Sequence, residues 1–171
     1  MKYLLDANIL IAAKNDYYPM DMMPRFWDLL GEKIQDGTIV ILDKIMNEII
    51  GKGSNPDDLE TWISGLHIET IKSSTDEIRR AYGTLLRDLG SSPAYNSARA
   101  VTEWSDPKVA DPWVIAAAKV NGFTVVTLEK EVQEIPGNNI RHPKIPNFAR
   151  RYGVRTINLI TMLRELDFSW R

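Results

Sequence analysis

Apolar residues follow two alternating patterns along the chain, short continuous runs and stripes that repeat every three to four positions. Runs at residues 3–11, 38–42 and 123–127 are rich in Leu, Ile and Val, and such runs predict strands buried on both faces. The stripes between them predict helices, because a period of 3.6 places their apolar side chains on one face. Strands that alternate with helices indicate parallel βαβ units and hence an α/β fold.

Turn-forming and capping residues give bounds to the predicted helices. Helices are predicted from the first strand to Ala13, and over residues 26–34, 43–50, 56–66, 74–89, 113–120 and 158–166. Ser74-Thr75-Asp76-Glu77 has the spacing of a capping box. In the last helix we expect Ile160, Leu163 and Leu166 to face the core.

Proline, glycine and polar residues mark the predicted loops. Loops are expected at residues 15–23 and 51–56, and around Pro136, Pro143 and Pro146. Two segments are ambiguous. Residues 67–71 fit a short strand or an extended connector, and a mostly polar stretch that ends at Trp104 has only a weak helical pattern.

Composition restricts the class of protein. A chain of 171 residues with 44% hydrophobic content fits one compact domain over residues 1–171. The net charge of −2 and a pI near 5.7 exclude a polybasic surface, so any nucleic-acid role needs a local basic patch. The absence of cysteine excludes disulfides and thiolate chemistry. No signal-peptide pattern or uncharged long apolar stretch is present, so we expect a soluble, cytoplasmic protein without membrane contact.

Four acids lie next to the predicted strands. Asp6 interrupts the first run, Glu48 is on the helix after the second, Asp111 begins the helix before the third, and Glu129 follows the third. In open parallel α/β sheets, ligands bind beyond the carboxyl ends of the strands, where these acids can be placed without strain. The sequence therefore predicts that acids remote in the chain meet at this edge.

Carboxylates that converge repel one another. At roughly 5 Å and an effective dielectric constant near 20, each pair costs about 3 kcal/mol, which a raised pKa, a basic partner or a divalent cation would relieve. Oxygen ligands in a chain without cysteine favour a hard ion such as Mg²⁺ or Mn²⁺. Such an ion would hold a phosphate oxygen and activate water. His67 and His142 are isolated, and we expect them to be surface or structural residues.

Each acid also has a structural interpretation. Asp6 and Asp111 are well placed as helix N-caps, the second of them before a proline. Glu48 fits a solvent-facing helix residue, and Glu129 fits an ordinary loop acid. Asn8 could bond to its own turn instead of supporting Asp6.

Four short motifs, in their order along the chain, resemble those of PIN-domain nucleases. They are Leu4-Leu5-Asp6-Ala7-Asn8-Ile9-Leu10, Glu48 after Ile41-Leu42-Asp43, Ala110-Asp111-Pro112-Trp113-Val114-Ile115-Ala116-Ala117-Ala118, and Val125-Val126-Thr127-Leu128-Glu129. The Asp-Pro-Trp motif and the later Lys144-Ile145-Pro146-Asn147 are similar to an uncharacterised bacterial and archaeal subgroup of PIN-like proteins. The motifs span residues 3–147, and the resemblance depends on their combination.

The resemblance implies a PIN fold, a three-layer α/β/α sandwich with a central, mainly parallel sheet. It also implies hydrolysis of single-stranded RNA by an endoribonuclease that depends on Mg²⁺ or Mn²⁺. By position in the motifs, the catalytic and metal-binding acids would be Asp6, Glu48, Asp111 and Glu129. Asn8 and Thr127 would support them. Glu129 departs from the family pattern, because the fourth acid is more often Asp, and its longer side chain would act through water or support a second metal.

The resemblance also implies partners. Many PIN-domain proteins are toxins paired with an antitoxin, and dimers are common among them. The expected phosphate-binding residues are Lys14, Arg141 and Lys144, and further basic candidates are Lys119, Arg150 and Arg151. For any one of these residues a solvated surface charge is the alternative interpretation. The stretch 73–104 is longer than in the smallest toxins.

Other functions fit the sequence less well. The main alternative is a non-catalytic PIN-like module that binds RNA or protein, which predicts separated carboxylates. A phosphatase of the haloacid dehalogenase type would need a second Asp where Asn8 stands. No glycine-rich dinucleotide motif or phosphate-loop lysine follows a strand. Trp104 and Trp113 are expected in the core or an interface and not as base-stacking platforms.

Overall fold

A four-stranded parallel sheet forms the centre of the protein. The computed structural model describes residues 1–50 and 55–169. Its strands are β1 (Tyr3–Leu5), β2 (Ile39–Val40), β3 (Thr124–Val126) and β4 (Thr156–Ile157). They lie in the order β2-β1-β3-β4, and each neighbouring pair is parallel. The predicted α/β fold with a parallel sheet is therefore confirmed.

Helices flank this sheet. They are α1 (Ala7–Ala12), α2 (Pro24–Gln35), α3 (Asp43–Ile49), α4 (Asp58–Gly65), α5 (Asp76–Ser91), α6 (Ser97–Ser105), α7 (Asp111–Asn121), α8 (Ile145–Arg151) and α9 (Leu159–Glu165). Every strand residue of β1 and β3 is buried, which explains why these strands read as unbroken apolar runs. The carboxyl ends of both central strands consequently meet at one edge.

Helix α7 is the buried helix that leads into β3. Its residues from Val114 to Ala118 are at most 1% exposed, and small side chains allow close approach to its neighbours. It ends at Gly122, whose φ of 69° lies in the left-handed region that favours glycine. Helix α5 packs along it, so the long stretch 73–104 covers α7. Tyr82 of α5 stacks on Trp113 with ring centroids 3.8 Å apart, and Trp104 is fully buried.

Several local predictions are wrong. The predicted loop 15–23 begins with a π-helical turn (Ala13–Tyr17) that continues α1. The capping box does not form as predicted, because Thr75 and not Ser74 caps α5 by accepting a hydrogen bond from Ile78 N–H. Ile160 is 45% exposed, and Leu159 and Met162 face the core instead.

The C-terminal third contains two elements that the hydrophobic pattern did not predict, α8 and β4. The strand has only two residues and the helix seven, with Pro146 in its first turn, so neither is long enough to show a period. Residues 67–71 form a connector, which pairs with the chain after β2 through an isolated bridge from Ile71 to Leu42. The predicted loop 51–56 lies mostly outside the described residues.

None of the helices found in residues 1–50 and 55–169 has the length and apolar character required to cross a membrane.

Candidate acidic site at the carboxyl ends of the strands

Asp6 is the residue at which β1 ends and α1 begins. Its backbone N–H donates to Val126 O at 3.0 Å, and its side chain is 4% exposed. The residue stands at the capping position of α1, but its carboxylate makes no capping hydrogen bond. Instead Oδ2 accepts a hydrogen bond of 2.7 Å from the Thr127 hydroxyl. The N-cap interpretation therefore does not explain why a carboxylate is buried here.

Thr127 connects the ends of the two central strands. Besides donating to Asp6, its hydroxyl oxygen accepts from Glu129 N–H at 3.1 Å and from Asn8 Nδ2 at 3.4 Å. Asn8 Oδ1 accepts from Leu128 N–H at 3.2 Å. The amide of Asn8 thus binds the turn after β3 and not only its own turn. Asn8 and Thr127 together hold the Asp6 carboxylate and the turn after β3 in fixed relation.

Asp111 enters the same region from α7. Ala110 occupies the capping position of this helix and Asp111 is its first helical residue, so the N-cap interpretation of Asp111 is wrong. The Ala110 N–H donates to Glu48 Oε1 at 3.3 Å, which connects α3 to the start of α7. Glu48 is half-buried by this contact and is not simply a solvent-facing helix residue.

Three of the four predicted acids line one cavity of about 360 Å³: Asp6, Glu48 and Asp111. Asn8 also lines it, as do Asn15 and Asp16 of the π-helical turn. Sequence analysis missed these last two residues, because it placed them in a loop. Their position depends on the continuation of α1, which no residue pattern indicated.

The pKa values show how the charge is distributed in this cavity. Burial, with the carboxylates of Asp6, Glu129 and Glu48 adding to it, raises the pKa of Asp111 to about 7. Burial also raises the pKa of Asp6 to about 6, against the opposing effect of the Thr127 hydrogen bond. Both shifts mean that negative charge in the cavity is poorly compensated.

Glu129 has a different environment. Its Oε1 accepts from Lys144 Nζ at 2.5 Å, and its Oε2 accepts from the Ile145 N–H at 2.8 Å. This carboxylate raises the pKa of Lys144. Glu129 lines a neighbouring cavity and not the one that holds the other three acids. It is therefore a neutralised residue at the N-terminus of α8 and not an ordinary loop acid.

The run Lys144-Ile145-Pro146-Asn147 fastens the segment that follows β3. Asn147 is fully buried, and its amide both accepts from Val132 N–H at 3.0 Å and donates to Val132 O at 2.8 Å. The run was recognised in the sequence as a motif. The paired hydrogen bonds between Asn147 and the backbone of Val132, 15 residues earlier, could not be predicted from the sequence.

The basic candidates do not all surround the acids. Lys14 Nζ is 2.6 Å from Asp57, Lys144 binds Glu129, and Arg141 is exposed. Lys119 is exposed as well. Arg150 binds Glu131 and Arg151 binds Glu134, and both of these acids belong to the segment after β3. His142 is exposed and contacts Glu103 at 2.7 Å, as expected for a surface residue.

The donor set of the acidic cavity suits a hard divalent cation. It consists of carboxylate oxygens, which are the ligands that such ions prefer. The pKa values of Asp6 and Asp111 are raised, and a bound cation would lower them. In the part of the chain that the structure describes, no three acidic or histidine side chains converge closely enough to form a ready ligand set. Binding would therefore need rotation of these side chains or bridging water.

Comparison with known proteins gives two similarities. The chain matches the family described as "Domain of unknown function (DUF4411)" over residues 3–170. The crystal structure of VapBC2 from Rickettsia felis bound to a DNA fragment from their promoter contains a chain of similar fold, with a TM-score of 0.55 and 17% identity. The alignment covers 92% of this chain and 98% of that chain. No curated protein matches. The architecture is a PIN-like fold.

Proposed function

The chain belongs to the DUF4411 family and has a PIN-like fold, and from this premise we propose that it is a metal-dependent endoribonuclease. The substrate class proposed is single-stranded RNA, whose phosphodiester bonds would be hydrolysed at the acidic cavity. The observation that carries the proposal is the pair of carboxylates with raised pKa values, Asp6 and Asp111, that share a cavity with Glu48. Perturbed carboxylates in a cleft are markers of functional sites.

The residues that would hold Mg²⁺ or Mn²⁺ are Asp6, Glu48 and Asp111, directly or through water. When bound, the ion would supply a Lewis acid for a phosphate oxygen and lower the pKa of an attacking water. Glu129, the fourth acid of the resemblance, is proposed to act from a distance, since Lys144 and the Ile145 N–H already occupy its two oxygens.

The surrounding residues have positioning roles in this proposal. Thr127 holds Asp6 through the 2.7 Å hydrogen bond, and Asn8 fixes the turn that carries Leu128. Glu48 accepts from the backbone at the start of α7 and so aligns α3 with Asp111. These contacts keep the three carboxylates beside one cavity, and a bound ion would set their final positions.

The proposal extends to a partner. PIN-domain proteins that the sequence resembles are often toxins held by an antitoxin, and we propose the same arrangement here, in the cytoplasm. Lys144 and Arg141 would help to hold substrate phosphates. We also propose that the protein forms a homodimer and belongs to the PIN-like subgroup with the Asp-Pro-Trp motif.

The test is a cleavage assay on a fluorescent single-stranded RNA with Mg²⁺, with Mn²⁺ and with EDTA. Wild-type protein is expected to cleave only with a divalent ion, and Asp6→Asn is expected to lose activity while its circular dichroism spectrum is unchanged. Asp167→Asn, a change of an exposed acid in the turn after α9, is the matched control. Equal cleavage by Asp6→Asn and wild type would refute the assignment.

A second candidate, the non-catalytic binding module, is favoured by one observation. The acids of the described residues do not form a ready ligand set. This candidate predicts RNA or protein binding that does not respond to divalent ions. The Mg²⁺ and Mn²⁺ arms of the same assay separate the two candidates, because a binding module would leave the RNA intact there as it does in EDTA, whereas the nuclease would cleave it.

A further inference from the structure

A second cavity opens beside the acidic one, at the carboxyl ends of β3 and β4. Its volume is about 630 Å³, within the range of small-molecule sites. The walls include Tyr17 from the π-helical turn and Ile157 from β4, and Thr161 from α9. No role in the metal site is proposed for these three residues.

The two cavities adjoin at the turn after β3. Leu128 lines both of them, and the Thr127 hydroxyl that lines the second cavity donates to Asp6 in the first. A polymer whose phosphate lies at the acids would therefore place the adjoining nucleotide over Leu128, beside the second cavity.

The lining of the second cavity fits an uncharged ring better than a phosphate. Its acids Glu129 and Glu131 are paired with Lys144 and Arg150, so Lys130 is the remaining charge among the described lining residues. A phosphate site would need several cationic or N–H donors directed inward. Hydroxyl groups and apolar side chains dominate instead, which suits the edge and the faces of a base.

Tyr17 supplies the aromatic surface that base stacking requires. Its side chain is 58% exposed, whereas Tyr18, its neighbour in sequence, stacks on Phe26 at 4.1 Å and is part of the core packing. The ring at the wall of the cavity is therefore accessible to a ligand, and stacking of a base on it would remove apolar surface from water.

We propose that this second cavity binds the base of the nucleotide next to the scissile phosphate, with Tyr17 stacked on the base and Thr161 at its edge. The inference rests on the proposed ribonuclease function. It adds a subsite that binds the base at one position of the RNA, next to the phosphate that is cleaved.

The test measures RNA binding in a protein that does not cleave. Labelled single-stranded RNA is titrated with Asp111→Asn by fluorescence anisotropy, alone and combined with Tyr17→Ala, Tyr17→Phe or Thr161→Val. Tyr17→Ala is expected to weaken binding about tenfold, and Tyr17→Phe by less than about twofold, because stacking needs the ring and not the hydroxyl. Met22→Ala, a change of a 74% exposed side chain outside the cavity, is the control and should have no effect.

A set of RNAs with one abasic nucleotide at successive positions identifies the base. One abasic position is expected to lose the same tenfold, and Tyr17→Ala should weaken binding of that RNA no further. The proposal would be overturned if Tyr17→Ala weakened binding of every abasic RNA as much as binding of the intact RNA. It would also be overturned if Tyr17→Ala had no effect on binding.

Cleavage of the same RNAs by wild type and by Tyr17→Ala separates this inference from the function on which it rests. Cleavage that ignores both Tyr17 and the base overturns the subsite and leaves the nuclease intact. Base-dependent binding with no metal-dependent cleavage overturns the nuclease and leaves the subsite. If the protein binds no RNA at all, the proposed subsite is overturned.

Discussion

Asp111 and Glu129 lie at the same edge of one sheet, yet the negative charge of Glu129 is compensated by the chain and that of Asp111 is not. Glu129 has a lysine on one oxygen and a helix N–H on the other. Asp111 is buried, and burial, together with the carboxylates of Asp6, Glu129 and Glu48, raises its pKa to about 7. The comparison shows where negative charge is left uncompensated and where the chain itself provides a cation.

The difference also separates structure from chemistry. A carboxylate paired at a helix N-terminus stabilises the fold, since it satisfies a backbone N–H and interacts with the helix dipole. A buried carboxylate among other carboxylates lowers the stability of the fold, and such residues mark candidate functional sites. We therefore expect changes at Asp111 and Glu129 to have contrasting consequences.

The largest expected effect is on the rate of RNA cleavage. Asp111→Asn should reduce kcat/KM by about three orders of magnitude, because a lost metal ligand removes several kcal/mol of transition-state stabilisation. Glu129→Gln should cost only about tenfold, the consequence of loosening one ion pair. Cleavage rates under single-turnover conditions measure both. Equal losses for the two variants would remove the distinction between the residues.

The next effect is on the pH dependence of stability without metal. The folded-state pKa values of Asp6 and Asp111, about 6 and 7, lie above the ordinary value of 3.8. The folded protein therefore binds these protons more tightly than the unfolded chain. Their stabilising contribution is complete below about pH 4 and is lost as the pH rises through 6 and 7.

Asp111→Asn should consequently raise the free energy of unfolding at pH 8 by a few kcal/mol and have little effect at pH 4. Urea denaturation in EDTA at several pH values measures this difference between variant and wild type. Glu129→Gln, which removes a paired acid, should not stabilise the protein at pH 8. A variant at Asp111 that destabilises the protein at pH 8 would contradict the assignment of uncompensated charge.

The smallest effect concerns the neutralised site. Lys144→Met should lower the free energy of unfolding by about 1 kcal/mol, since the lysine side chain is partly exposed and the pair is screened. A double-mutant cycle with Glu129→Gln measures the coupling between the two residues, which should decrease as salt is added. A coupling of zero would show that the two side chains do not stabilise each other in solution.

The sequence predicted the fold because its strong signals are local. Continuous apolar runs marked β1 and β3, and the stripe between residues 113 and 120 marked α7. Parallel strands place their carboxyl ends together, so the meeting of Asp6 with Asp111 followed from topology. Strand β4 could not be predicted, because two residues show no period.

The environment of each acid could not be predicted either, because it depends on contacts with residues distant in the sequence. The motif pattern grouped Glu129 with Asp111 as a metal-binding acid, but its pairing depends on Lys144, a partner 15 residues away across an irregular segment. Likewise the exposure of Tyr17 follows from a π-helical turn that no residue preference indicated. Pairing and exposure of this kind are tertiary properties.

The central claim, that Asp6, Glu48 and Asp111 bind a divalent cation, is tested most directly by calorimetric titration of the metal-free protein with Mn²⁺ at pH 8. The account predicts saturable binding by wild type and by Glu129→Gln, and loss of that binding in Asp111→Asn. Mn²⁺ binding that persists unchanged in Asp111→Asn and disappears in Glu129→Gln would contradict it.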